Sequence, residues 1–165
     1  MALELNGTTG VSLVQDGVIT DANLPAGSVL QVVQAPSSTF STRFSTTSTS
    51  YVSTGHTLSI TPSSASSKIF CLWSSAAHCT GGGYILGKFY RDGTELTNST
   101  WGQGGAGSWQ MSSISFLDEP SSTSPVSYTL YIVVTSGIGY IGWQTPPPSS
   151  PSTNMIGWTL IEIAG

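Results

Sequence analysis

The sequence predicts an all-β domain, a sandwich or barrel of short antiparallel strands. Three observations carry that expectation. Short alternating or apolar stretches recur at intervals of roughly 8–15 residues, with turn residues between them. No stretch keeps a helical period over three turns, and the helix formers Glu, Lys and Ala are scarce. The polar residues are hydroxyls rather than ions: 29 Ser and 21 Thr in 165 residues, against four Lys+Arg and eight Asp+Glu.

Residues 1–27 read as an extended arm. Leu3, Leu5, Val11, Leu13, Val18 and Ile19 are its apolar positions, broken by turn signals at Asn6-Gly7, Asp16-Gly17 and Pro25-Ala26-Gly27. Such a stretch cannot bury a core alone, and short unpaired strands seek partners. A docking arm is the expectation. A first hairpin of the same domain, turning at Asp16-Gly17, is the alternative.

Residues 28–165 form the β domain. Val29 to Val33 is its first clear strand, and Phe40 to Phe44 and Tyr51 to Ser53 alternate. Thr57 to Thr61 follows and stops at Pro62. Lys68 to Trp73 reads as a short buried strand. Tyr84 to Arg91 is a strand, and Asp92-Gly93 turns it into Thr94 to Leu96. Trp101 to Trp109 (WGQGGAGSW) reads as a glycine-rich loop. Gln110 to Leu117 alternates, Val126 to Val134 is the longest strand, and Gly139 to Trp143 is another. A Pro/Ser loop leads to Met155 to Ile163, an apolar strand expected at the centre of a sheet. No repeat of 20–50 residues suggests a propeller or solenoid.

Composition excludes several functions. Charged residues make up 7% of the chain and the net charge is −4, where an ordinary domain is about 25% charged. Four cations cannot neutralise a phosphate backbone, so no nucleic-acid partner is expected. No apolar run is long enough to insert in a membrane, and no export signal is visible. Disorder is excluded by 38% hydrophobic residues with five Trp, six Tyr and five Phe. Outward strand positions carrying Ser and Thr make neutral faces. Such faces can pack on identical copies without burying unpaired charge.

Catalytic groupings are thin, and no catalytic residue, metal or cofactor is expected. His56 and His78 have no partner at metal spacing, and Cys71, His78 and Cys79 lack the paired spacings of a zinc site. Cys71 and Cys79 read as buried thiols on neighbouring strands or as a disulfide closing a strand pair. Asp118-Glu119 fits a turn before Pro120 better than an acid/base dyad. Arg91 is expected to pair with Glu95 across the hairpin. Aromatic residues beside loops are the one hint of binding. Trp101, Trp109, Tyr140 and Trp143 could stack on sugar rings; the alternative is packing in a core or between subunits, where most Trp sit.

The stretches SVLQVVQ, STTSTSYVSTGHTLSITPSSASSKIFCLWS, GGYILGKFYRDGTEL, SISFLDEPSSTSPVSYTLYI and WTLIEIAG resemble bacteriophage virion proteins of aquatic phages, of the tail-fibre or structural kind. LNGTTGVSLVQDGVITDANLPAG resembles the linkers that precede their heads. The resemblance implies a jelly-roll-like antiparallel sandwich of about 8–10 strands. It also implies a non-enzymatic homotrimeric tail-fibre or appendage head in the virion, assembled in the host cytoplasm. Residues 1–27 would dock on other virion proteins, and the loops would touch host surface polysaccharide. The chain departs from fibre proteins in having no long N-terminal shaft. A capsid decoration or cement protein is one alternative; a polysaccharide depolymerase or lectin-like module is another.

Overall fold

The structure, a computed structural model, describes residues 24–35, 43–97, 100–104, 109–142 and 156–165; of Trp101, Gln103 and Gly104 it describes the backbone. Leu3, Leu5, Val11, Leu13, Val18 and Ile19 lie outside the described residues, as does Trp143.

Among the described residues there are eleven strands and no helix. They are β1 (Val29–Gln34), β2 (Phe44–Thr46), β3 (Val52–Ile60), β4 (Lys68–Cys79), β5 (Tyr84–Arg91) and β6 (Thr94–Glu95). Then come β7 (Trp101–Gly104), β8 (Gln110–Asp118), β9 (Val126–Val134), β10 (Gly139–Ile141) and β11 (Ile156–Ile163). The strands form two antiparallel sheets packed as a sandwich. The first runs β1-β11-β4-β10-β2, with β8 on the other edge of β4; the second runs β3-β9-β5-β6, with β7 also on β5.

Alternation decides which side chains meet between the sheets. Along β9, Val126, Tyr128, Leu130, Ile132 and Val134 point inward and their neighbours outward, without a break. Trp73 of β4 and Trp158 of β11 stand side by side in register. Phe89 of the other sheet meets both edge-on, at ring separations of 6.0 and 5.1 Å. Each such large side chain contributes about 1.5–3 kcal/mol by leaving water. As expected, the last strand is interior: β11 lies between β1 and β4.

Asp92 and Gly93 turn the β5–β6 hairpin with φ of 48° and 83°. Positive values at both central positions match the right-handed strand twist.

Several expectations about the strands need correction. The longest strand is β4, with 12 residues, rather than β9, with 9. The stretches at 51–53 and 57–61 are parts of one strand, β3, whose register shifts between Ser53 and Thr57. Gly55 at φ 74° sits in that bulge. The short strand expected at 68–73 continues to Cys79, because Ser75, Ala77 and Cys79 keep the inward phase. The start of the glycine-rich segment is a strand, β7, paired with Tyr84 to Gly87 of β5; glycines can pair as strand when a neighbouring edge offers the ladder. Cys71 and Cys79 lie on one strand rather than two, and both thiols are free. Eight residues of extended chain separate them by about 26 Å, far beyond the reach of a disulfide.

Candidate functional site

The outer face of the first sheet gathers apolar, hydroxyl and aromatic groups that the interior does not use. β4 runs its length. From one end to the other this face is apolar, then lined with hydroxyls, then aromatic.

The apolar end is one row across four strands. Val32 faces Ile161, Ile161 faces Phe70 and Phe70 faces Leu117. Val32 is 58% exposed and Leu117 41%, with Leu72 at 39% one step along β4. No ion interrupts the row, and the Lys68–Glu119 pair stands at its rim. Beyond it, Leu72, Ser74, Ser113, Ser115, Gly157 and Thr159 line a shallow depression of about 380 Å³. Gly157 opens this notch, since it lies across from Ser74 without a side chain.

The aromatic end is a stack. His78 of β4 and Tyr140 of β10 are cross-strand partners. Their rings are 5.8 Å apart, and Trp109, just before β8, stacks on His78 at 5.2 Å and 27°. Arg43 completes it, its guanidinium carbon 4.4 Å from the centre of the Tyr140 ring. Local sequence sets this up. Phe44 turns into the core, so Arg43 and Ser45 on either side turn outward. Gly139 and Ile141 are buried, which turns Tyr140 outward.

The structure therefore brings Trp109 and Tyr140 together. Trp101 stands on β7 in the other sheet, opposite Gly87. Trp143 is outside the described residues. Sequence reasoning missed Arg43 and His78 as members. The signal for both was parity: each lies one residue from a core side chain on a strand, and so faces out.

Other polar groups are structural. Glu162 is fully buried on β11. Its carboxylate accepts hydrogen bonds from Gln31 Nε2 at 2.6 Å, and from the Ser63 N–H at 2.7 Å and hydroxyl at 2.8 Å. Burial pushes its acidity down, yet the donors of Ser67, Gln31 and Ser63 outweigh that and hold its pKa below the ordinary value. Glu162 thus ties the β3–β4 turn to β1 and β11. Arg91 does not pair with Glu95: its guanidinium reaches Asp118 at 2.7 and 2.9 Å, and Lys88 takes Glu95. Successive strand residues point to opposite faces, which sends Arg91 toward the sandwich end where Asp118 is nearly buried. Tyr128 donates its hydroxyl to the same carboxylate at 2.7 Å.

Among the described residues, no three His, Cys, Asp or Glu gather to hold a metal. His56 and His78 stand in different sheets. Burial raises the pKa of both thiols, and Asp118 raises that of Cys71 further, so neither is primed as a nucleophile.

On the outer face of the second sheet, hydroxyls bond sideways as the Ser/Thr pattern suggests. Thr57 and Thr129 share a bond of 2.9 Å, and Ser59 and Ser127 one of 2.8 Å, each between partners in register.

No family model matches this chain, and no curated protein matches it. Among solved structures, it is similar to the VP2 subviral particle of infectious bursal disease virus: TM-score 0.47, 14% identity, over 82% of this chain and 33% of that one. It is also similar to the T13 viral particle of that virus: TM-score 0.45, 15% identity, over 81% of this chain and 35% of that one. The chain spans about a third of the length of those chains, and the likeness concerns the fold alone.

Proposed function

We propose that this chain is a non-enzymatic structural component of a bacteriophage particle: a homotrimeric tail-fibre or appendage head. Residues 1–27 dock it on other virion proteins, and the Trp109–Tyr140 end of the first sheet touches host surface polysaccharide. One observation carries the assembly reading. The row Val32–Ile161–Phe70–Leu117 is apolar, ion-free and exposed at both ends. A second copy of this chain is the partner that suits it. Identical surfaces with so few ions can meet without stranding a charge, which would cost several kcal/mol. The virion and host-contact parts are supported by the sequence resemblance and by the half-buried aromatic stack on the outer face of the first sheet.

Native mass measurement tests the assembly. A trimer is expected, and a monomer at micromolar concentration overturns it. Leu72→Asp puts a charge beside the row without touching the core. Its expected outcome is dissociation to monomers with an unchanged β circular-dichroism spectrum. Cryo-electron microscopy of the particle then separates an appendage head from a capsid decoration protein by position alone.

A further inference from the structure

The chain has four cations, and three have an acidic partner. Lys68 pairs with Glu119, Lys88 with Glu95 and Arg91 with Asp118. The fourth, Arg43, is exposed and has no carboxylate partner among the described residues. It stands at the open end of the Trp109–His78–Tyr140 stack. Its guanidinium carbon lies over the Tyr140 ring. The N–H donors lie along the edge of the guanidinium plane, and Arg43 is exposed. A planar fork of donors fits a carboxylate in two-point contact. The exposed Ser45 is the strand partner of Tyr140 and adds a hydroxyl beside this edge. The depression along β4 on the same face offers Ser74, Ser113, Ser115 and Thr159.

We propose that Arg43, Ser45, His78, Trp109 and Tyr140 form a subsite for an acidic sugar, a uronic or sialic acid within a polysaccharide. The sugar carboxylate takes the guanidinium edge of Arg43. Its ring packs along the aromatic stack, and neighbouring sugars extend toward the hydroxyl-lined depression. This rests on the glycan-contact reading above and narrows it to one chemistry. The chain as a whole, at net charge −4, repels a polyanion at long range. Binding therefore depends on this local fit rather than on general attraction.

The test uses the full chain in affinity electrophoresis and titration calorimetry. The probes are polygalacturonate, alginate and oligosialate, their carboxyl-reduced counterparts, and dextran sulfate. Binding to at least one carboxylated polymer is expected, with little to its reduced form or to dextran sulfate. Arg43→Gln should weaken that binding about tenfold or more. Arg43→Lys should recover only part, since an ammonium lacks the fork. Lys88→Gln, a cation on the other sheet, should change nothing. Equal binding of a reduced polymer overturns the acidic subsite while leaving glycan contact in place. Equal binding of dextran sulfate overturns the carboxylate fit. Binding of none of the probes overturns both readings. Arg43→Gln changing the native mass instead of the affinity also overturns the proposal, since it assigns Arg43 to an interface between copies.

Discussion

Single residues hold this sandwich together where hydrophobic burial cannot. Asp118 receives a guanidinium and a phenol at once. Asp118→Ala would leave Arg91 half-buried and Tyr128 fully buried without their acceptor. A loss of about 2–3 kcal/mol is expected in urea unfolding, against about 1 kcal/mol for Tyr128→Phe. His56 sets the response to acid. Burial lowers its pKa from 6.5 to about 4, so the folded chain keeps the imidazole neutral. Above pH 6.5 folded and unfolded chains are both neutral there, and His56 contributes no pH dependence. Below it the unfolded chain binds a proton that the folded chain refuses, so stability falls from pH 6.5 toward about 4. Glu162 acts in a lower window. Its depressed pKa gives stability that is present above the ordinary carboxylate range and lost as pH falls through the folded value. Urea midpoints measured in pH steps should decline in two stages, and His56→Gln should flatten the upper one.

Among the elements, β4 is the hub. One edge carries β8 along Ile69 to Ala77, while the other carries β11 and then β10. The handover to β10 needs a tight approach at Gly139. A methyl group there would lie 2.4 Å from Val134 Cγ1 and 3.2 Å from Ile85 Cδ1. Both neighbours are buried aliphatics with little room to move. Gly139→Ala is expected to cost about 1–3 kcal/mol, read as a lower melting temperature. It should also loosen Tyr140 beside it, visible as a change in the tyrosine near-ultraviolet signal. The same hub explains why one strand bears both the core tryptophan Trp73 and the surface imidazole His78: they are five residues apart, so they face opposite ways.

At the scale of the whole molecule, the two sheets show different outer faces. The second sheet bears cross-strand hydroxyl rungs, and the first bears the apolar row and the aromatic stack. Self-association through an apolar face responds to salt in a characteristic way. Ionic attraction weakens as salt screens it, whereas apolar burial does not. Sedimentation from low salt to about 0.5 M, where the screening length is only a few ångströms, should show association unchanged or stronger. Dissociation on adding salt would point to ion pairs as the glue.

Pattern and turn chemistry in the sequence were enough for the all-β class, the Asp92-Gly93 hairpin, the strand at Val126 to Val134 and the interior place of β11. These are local rules: side chains alternate every residue, and two adjacent positive φ values make a hairpin turn. Trp109 and Tyr140 were legible as loop-side aromatics, but Arg43 and His78 were not, because nothing local says that β2, β10, β4 and β8 lie side by side. The same reason hid the partners of Arg91 and Glu162, which are 27 and up to 131 residues away. It also hid that Val32, Ile161, Phe70 and Leu117 form a single row. Hydrophobic pattern specifies which face of a strand is buried. Only the register between strands distant in the chain decides which surface residues become neighbours, and that is where the candidate site resides.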